Sequence, residues 1–502
     1  MKKIFDVGGS GENVLKSDDQ IGFEESIHLA TLDILQDTGI KIMSESAAEL
    51  LYCSGASVDS FEDHSIVRIP PYLVETCLEW APRDIIYKGR NAHKNYSPNS
   101  GSVAFTTFGG CIKIIDPITR LRRMSRKNDL EEMIRVCDYL DEICIVNRVV
   151  NATDVPPASL SVHNMEAILK NSGKHFIIGA DSPASLRAMQ SLAAACVNGN
   201  QELDPESIFS VSVCPLSPLV IPQKTASVVI EAAKKGIGIV IIPMAMSGGT
   251  SPATLAGTLV CHNAEVLSCI VLAQLAGRGS ACTYGSTSTI LDLKYGTCAV
   301  GSPEYAKINA ALAKLSKYYG LPCFVGGGCS DSKVPDHQSA YEFTLSAFMA
   351  ALNGADIIFG CGGIEQGLTM DYAKLILDAE MVRMISNAVT EISLDEDAFA
   401  LDVVRNVGPG GSFLNHIHTL KHMHLQSRPY LFDRRTLEDW GSNNTDNYLL
   451  EQAYATAVDI IRTYTPSKLP AASESSMAEI IREFESEIGL ITDTKKSVLA
   501  PA

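Results

Sequence analysis

The strongest constraint in this chain is a repeated alternation. From about residue 101 onward, short β-branched runs recur, each followed by Gly, Pro, Ser or Asp and then by an Ala- and Leu-rich stretch. The runs are 102–108, 143–150, 174–180, 207–213, 237–243, 280–286, 322–327 and 356–360. Stretches with helical periodicity between them include 130–140, 183–197, 224–236, 263–277 and 305–320. Continuous apolar runs alternating with amphipathic helices predict parallel strands covered by helices. About eight such units over ~260 residues favour a closed (β/α)8 barrel over an open doubly wound sheet. The first strand is the least defined, because FGGCIKIIDPITRLRR (108–123) also reads as a hairpin inserted after it.

The expected fold class is therefore α/β, a (β/α)8 TIM barrel over 101–400. Residues 1–100 read as a helical N-terminal cap. Segments 23–40 and 44–56 close on Gly39 and Gly55, and 69–81 opens with Pro70 and Pro71, as helix ends and starts do. Residues 401–502 read as a C-terminal extension packed on the barrel, with helices near 446–464 and 477–489.

Composition removes several function classes. Hydrophobic residues make up 46% of the 502 and charged ones 20%, which permits a large core and argues against disorder. Lys and Arg number 41 against 58 Asp and Glu, for a net charge of −17 with no basic block. A nucleic-acid partner is not expected. The apolar run GIGIVIIPMAM (236–246) is far short of the ~20 residues a membrane span needs, and the N-terminus lacks the apolar core of a signal peptide. A soluble, cytoplasmic protein without membrane contact is expected. The 14 cysteines are scattered without a CxxC pair, which reads as buried reduced thiols rather than a disulfide framework or a zinc ribbon.

A barrel carries its chemistry at the carboxyl ends of its strands. Four loops qualify: 247–250, 284–287, 326–342 and 361–371. In the third, Gly326, Gly327 and Gly328 allow a close backbone approach or a bend. Pro335 then starts a helix whose first turn carries Asp336, His337 and Gln338, and His337 shares a face with Tyr341. Asp331 and Asp336 read as helix caps or as ligand groups, and His337 as structural or functional. Glu365, in a Gly-rich loop, is either a ligand group or a partner for a cation. Asp371 reads as the cap of the helix 371–381. His416, His418, His422 and His424 cluster further on. His418 and His422 have a zinc-compatible spacing, but no Glu stands between them; the other reading is a helix start fixed by imidazole hydrogen bonds. GxGxxG, P-loop and GxSxG motifs are absent, as is the Asp-x-His-x-x-Gly pattern of cobalamin-carrying domains.

Several stretches carry a family resemblance. They are SPATLAGTLVCHNAEVLSCIVLAQLAG (251–277), GSPEYAKINAALAKLSKYYGLPCF (301–324), SDSKVPDHQSAYEFTL (330–345) and GPGGSFLNHIHTLKH (408–422), followed by Arg428-Pro429 and Trp440. On these the chain resembles trimethylamine methyltransferase-like proteins over most of 20–460. The resemblance implies a (β/α)8 barrel that moves a methyl group from a methylamine to the Co(I) corrinoid of a separate corrinoid protein. The cobalamin would then be carried by that partner, with none bound covalently by this chain. Members acting on trimethylamine carry pyrrolysine in a strand-end loop; the corresponding loop here is Gly326–Gln338, and it holds only standard residues. Similar members without pyrrolysine act on quaternary amines such as glycine betaine, carnitine or proline betaine.

On that resemblance, Glu365 and His337 are the candidate catalytic residues. Phe105, Phe108, Tyr284, Tyr341 and Phe359 are candidate walls for an ammonium head. Asp331 and Gln338 complete the candidate substrate contacts, and His337, Lys333 or an arginine would hold a substrate carboxylate. Gly326, Gly327 and Gly328 are the candidate approach to the partner's cofactor. A homo-oligomer is expected. A metal-dependent barrel hydrolase using the histidine cluster and a non-catalytic binder of quaternary amines stand as alternatives.

Overall fold

The computed structural model describes residues 22–98, 101–197, 204, 207–440 and 448–490. Eight parallel strands form its centre: β1 (Ala104–Thr107), β2 (Val146–Asn147), β3 (Phe176–Gly179), β4 (Phe209–Val213), β5 (Gly238–Ile241), β6 (Cys282–Ser286), β7 (Cys323–Gly326) and β8 (Ile357–Cys361). Their order round the sheet is β1-β8-β7-β6-β5-β4-β3-β2. The ring closes where Phe105 bridges Ile143 in parallel and the Cys144 N–H donates to the Phe105 carbonyl at 3.0 Å. Each strand falls inside one of the β-branched runs, save that β8 runs one residue past its own, so the fold is a (β/α)8 barrel.

The covering helices are α1 (Lys127–Tyr139), α2 (Leu160–Asn171), α3 (Pro183–Val197), α4 (Gln223–Lys235), α5 (Leu255–Ala276), α6 (Pro303–Tyr319), α7 (His337–Leu352) and α8 (Tyr372–Ala388). Their ends follow local chemistry. Ser302 caps α6 by accepting from the Tyr305 N–H, Pro303 takes the first turn, and Gly320 ends the helix at φ 67°. That is the left-handed conformation glycine adopts without a Cβ penalty.

Helix α5 differs from the expectation that no segment reaches membrane length. Its 22 residues are apolar enough to cross a bilayer, but 78% of its most apolar window is buried inside the protein. The helices Phe23–Asp33 and Pro71–Trp80 pack on it. A helix that is apolar all round is then a core helix of a large barrel.

The N-terminal region is less helical than the periodicity predicts. Besides the helices Phe23–Asp33, Glu45–Cys53 and Pro71–Trp80, it forms the strands Ile40–Ile42, Ser57–Ser60 and Ser65–Arg68. A fourth strand, Val220–Ile221, comes from the loop after β4 and pairs in parallel with Ile40–Ile42. Strands of two to four residues are too short to impose a period-2 pattern on their surroundings.

Beneath the barrel, Tyr87 and Tyr96 pair as a bridge and fill the amino-terminal end. The Tyr87 hydroxyl meets the Thr283 hydroxyl at 2.7 Å, and the Tyr96 hydroxyl donates to the Asp356 carbonyl at 2.7 Å. The carboxyl end is left as the open one. The hairpin Lys113–Ile115 with Arg122–Met124 sits at that end after β1, paired with Thr369–Asp371 from the loop after β8. After α8 the chain changes character: no residue between 390 and 440 is buried. The helix Tyr448–Thr463 then packs on α8 and α1, and Ala471–Glu487 on α3 and α2.

Candidate active site at the barrel mouth

Inward-facing residues alternate along barrel strands. Ala104, Ile145, Ile177, Val240, Phe324, Ile357 and Phe359 form the interior cluster. One layer higher the filling stops, and a cavity of about 110 Å³ opens at the carboxyl face. The strands or the residues just beyond them supply its wall: Phe108, Asn147, Arg148, Gly179, Ser212, Ile242, Thr287, Phe324 and Phe359. Phe108, Asn147, Arg148, Ser212 and Thr287 are only half-buried, so the cavity is reached from above.

The wall has two unlike sides. Across β7, β8 and β1 it is aromatic. The Phe324 and Phe359 rings stack with centroids 5.0 Å apart at 8°, and Phe108 tilts against Phe359 at 6.0 Å and 53°. Across β2, β3 and β4 it is polar and carries the Arg148 guanidinium. A Cβ on Gly110 would lie 2.5 Å from Arg148 Nη2, and one on Gly109 2.6 Å from Asn147 Nδ2. At Gly109 the Asn147 side chain lies against the backbone, while Gly110, at φ 90°, needs glycine for its left-handed conformation. A Cβ on Gly179 would lie 4.0 Å from Arg148 Nη1 and 3.6 Å from Ser212 Oγ, which turns the guanidinium toward β3 and β4.

Arg148 brings to the cavity wall a charge that the protein does not pair. Its Nε is buried without a hydrogen-bond partner, and among the described residues no carboxylate lies within ion-pair distance. Asp181, the acid that bears on it most strongly, pairs with Lys224 at 2.9 Å instead. Burial pulls the guanidinium below its ordinary pKa, opposed by the fields of Asp181 and Cys111, but an arginine stays protonated in proteins. A hydroxyl on the same strand face as Phe108, Thr106 Oγ1, is also buried and unpartnered. Native structures rarely leave such groups unsatisfied.

The structure separates the sequence candidates. Phe108 and Phe359 stand in the cavity wall. Tyr284 does not. It faces outward from β6, fully buried, and its hydroxyl donates to Asn263 Oδ1 at 2.9 Å; its neighbour Thr283 takes the inward position. Phe105 likewise faces the helices rather than the mouth. Tyr341 is 72% exposed on the outer side of α7. His337 and Gln338 are exposed in the first turn of that helix, and Gln338 donates to Glu342 at 2.8 Å. Asp331 accepts from the N–H groups of Val300 and Gly301 at 2.9 and 3.0 Å. Burial raises its pKa, and those two bonds oppose the shift. Asp336 caps α7 through the Ser339 N–H at 3.0 Å.

Glu365 is engaged as well. Thr369 donates to it, and Lys113 and Arg122 lie 3.5 and 3.8 Å away. Burial works to raise its pKa, but the Thr369 hydrogen bond and the two cations hold it below the usual carboxylate range. It pins the hairpin to the loop after β8. The glycines at 326–328 serve packing: a Cβ on Gly326 would strike Tyr305, on Gly327 Ile358 and the α7 backbone, and on Gly328 Phe343. None of the three lines the cavity.

Sequence reasoning missed Asn147, Arg148, Ser212 and Phe324, and reached Thr287 only as part of the loop 284–287. One signal pointed at the first pair, because ICIVNRVV (143–150) breaks an apolar strand with Asn-Arg. The C-terminal histidines hold backbone rather than each other's ligand. His416 Nδ1 accepts from the His418 N–H at 3.1 Å, and His422 Nδ1 lies 2.9 Å from the His418 carbonyl. No three His, Cys, Asp or Glu side chains converge on a metal-sized site among the described residues. A larger cavity of about 440 Å³ lies at the amino-terminal face, near Glu142, Glu380, Arg383 and Tyr430. Arg383 pairs there with Glu142 and Glu380, and Glu380 accepts from the Tyr430 N–H, while Glu142 Oε2 is left without a partner.

Comparison with known proteins agrees with this architecture. The family described as Trimethylamine methyltransferase (MTTB) matches residues 13–489. A trimethylamine methyltransferase MttB of Desulfitobacterium hafniense is 42% identical over 465 residues, covering 93% of each chain. One from Methanosarcina thermophila is 35% identical, over 89% of this chain and 93% of its own. A glycine betaine methyltransferase of Desulfitobacterium hafniense is 29% identical, over 95% of this chain and 98% of its own. The crystal structure of the Methanosarcina barkeri monomethylamine methyltransferase shares the fold, with a TM-score of 0.50 at 13% identity over 93% of this chain and 88% of that one. With a family match spanning almost the whole sequence and the barrel in place, the chain belongs to the trimethylamine methyltransferase (MTTB) family of methyltransferases.

Proposed function

We propose that this protein moves a methyl group from a quaternary amine of the glycine betaine type to the Co(I) corrinoid of a separate corrinoid protein. The observation that carries the reading is what the cavity wall omits. It holds phenylalanines, Asn147, Arg148, Ser212, Thr287, glycines and isoleucines, and no Asp, Glu, His, Cys, Lys or Tyr. Such a wall has no group that titrates near neutrality to act as general acid. When a quaternary ammonium gives up a methyl, the N–CH3 electron pair stays on nitrogen and a neutral tertiary amine leaves. No proton is required. A neutral tertiary amine would leave as an amide anion unless something activated it first, and nothing in this wall does so.

The chain's own residues then bind, orient and exclude water. Phe108, Phe324 and Phe359 offer ring faces to the ammonium, each worth about 0.5–2 kcal/mol when desolvated. A bound Co(I) corrinoid supplies the electron pair that takes the methyl group, and the half-buried rim leaves the mouth accessible to a partner that carries it. The relative named as a glycine betaine methyltransferase supports the substrate class. All 14 cysteines are free thiols, which suits a cytoplasmic setting.

A homo-oligomer belongs to the same reading. Between 392 and 437 the chain exposes Ile392, Leu394, Leu414, Leu425, Tyr430 and Leu437, each at least 65% accessible. This arm leaves the end of α8, on the barrel face opposite the mouth. Between 392 and 437 its charges balance, with Arg405, Lys421, Arg428, Arg434 and Arg435 against Asp395, Glu396, Asp397, Asp402 and Asp433. An apolar, charge-balanced arm on the surface fits a second copy of the same chain.

The test is spectroscopic. Purified protein is mixed with reduced Co(I) cobalamin, and trimethylamine and a panel of quaternary amines are added one at a time. Methylation with glycine betaine and none with trimethylamine is the expected result. Methylation with trimethylamine alone would overturn the substrate assignment. No methylation with any amine, even with a corrinoid protein supplied, would overturn the reaction.

A further inference from the structure

We infer that Arg148 pairs with a carboxylate on the substrate and thereby decides between zwitterionic betaines and quaternary amines that lack one. The inference rests on the methyl-transfer reading for its substrate, but its evidence is geometric. Arg148 borders the cavity, its Nε is buried and unpartnered, and no acid among the described residues forms an ion pair with it. A Cβ at Gly109 would crowd Asn147 and one at Gly110 would crowd Arg148. A guanidinium at a cavity wall that the protein leaves unpaired points to an anion from outside.

The opposite wall explains why the anion must come with a cation. Phe108, Phe324 and Phe359 line the same cavity as the guanidinium and pack on one another. A ligand with only a positive charge would enter a small space that already holds an uncompensated cation. A ligand with only a carboxylate would leave the ring faces without a partner. A zwitterion with a short spacer satisfies both walls, its carboxylate on Arg148 through a bidentate pair and its trimethylammonium on the rings. The volume of about 110 Å³ is small beside the ~300 Å³ and upward of drug-sized pockets, which favours the smaller betaines.

The experiment compares wild type, Arg148→Gln and Arg148→Lys with glycine betaine, choline and tetramethylammonium as methyl donors, and records thermal midpoints with and without each donor. Wild type should use glycine betaine far better than the other two and gain a thermal shift from it alone. In Arg148→Gln the KM for glycine betaine should rise roughly thirtyfold or more, as expected for losing one partner of a buried charge pair. Use of choline should hold or improve. Arg148→Lys should fall between them, because a point charge cannot form the bidentate pair. The ligand-free midpoint of Arg148→Gln should equal or exceed that of wild type, since the substitution removes a buried unpaired charge.

An unchanged ratio of betaine to choline use in Arg148→Gln would overturn the inference, as would a collapsed midpoint with all donors lost equally. If wild type transfers methyl from no donor, the reaction assignment fails but Arg148 is still read. A betaine-induced thermal shift that vanishes in Arg148→Gln would support the carboxylate site, and no shift in wild type would overturn it.

Discussion

The mouth of the barrel and the loop layer beside it hold polar side chains on opposite terms. In the loops 328–342 and 363–371 the polar side chains are largely answered from within. Asp331 holds the backbone of Val300 and Gly301, Glu342 accepts from Ser330 and from the Asp331 N–H, Asp336 caps α7, and Glu365 binds Thr369, Lys113 and Arg122. In the mouth, Arg148 Nε has no partner. A polar group that the protein satisfies is scaffold. One that borders an open cavity and has no partner in the protein is free to meet a ligand there. The loop layer attracts attention in the sequence because it is dense in Asp, Glu and His, and that density is what lets it satisfy itself.

The contrast can be broken from either side. The largest effect is expected behind the loop layer, at the buried pair Lys374–Asp378. Its atoms lie 2.6 Å apart, and Asp378 also accepts from the Gly362 N–H at 2.7 Å. Asp378→Ala leaves a buried ammonium unpaired and should lower stability by about 3–5 kcal/mol in urea unfolding. The preference of the remaining folded protein among methyl donors should stay as in wild type. A changed preference would mean that the layer reaches the site.

On the mouth side, Phe359→Leu keeps the volume nearly filled and removes one ring face. KM for a quaternary ammonium donor should rise by roughly 2- to 30-fold, with the thermal midpoint little changed. An unaltered KM would remove the aromatic wall from the substrate site.

pH separates the two regions a second way. The cavity has no group titrating near neutrality, so kcat/KM for a quaternary donor should be flat from about pH 6.5 to 9. A bell-shaped profile would bring a titrating group from outside the cavity wall into the chemistry. Stability, by contrast, should respond to acid through buried histidines outside the mouth. Burial pushes His262 down to about 3 and His175 down to about 4. Both stay neutral in the folded chain while the unfolded chain takes up protons near pH 6.5. Their contribution is complete above pH 6.5 and is withdrawn as pH falls toward 4, at roughly 1.4 kcal/mol per pH unit for each. Burial raises Glu265 and Asp378 to about 6, and these gain from acidification over the same range. The slope must therefore be read as a difference: His262→Gln should show a smaller loss of urea stability between pH 6.5 and 4.5 than wild type.

The smallest effect is expected on the outer face of α7. Tyr341→Ala and Gln338→Ala touch exposed side chains and should change stability by no more than about 0.5 kcal/mol, with turnover unaltered. A tenfold loss of turnover in either would restore the loop to the active site.

The candidate site was partly legible in the residues. Phe108 and Phe359 close β-branched runs and do face the mouth, whereas Tyr284 sits one residue out of register. In SACTYGS (280–286) small and polar residues mask the period-2 pattern, and a shift of one residue sends a side chain to the other face. Arg148 was visible only as a polar interruption of an apolar strand. Nothing near it in the chain tells whether an arginine will find a carboxylate, because every partner it lacks is remote in sequence.

What the amino-acid sequence determines by itself is the set of eight β/α units and the family. Hydrophobic periodicity and caps are local signals, and the family motifs are short contiguous stretches. The tertiary structure alone decides which ends meet. Barrel closure sets β1 beside both β2 and β8, so that Phe108 and Phe359 share a wall and Arg148 faces them across a cavity. Which polar groups are satisfied also follows from that closure, since hydrogen bonds and ion pairs act over a few ångströms of space, whatever the distance along the chain.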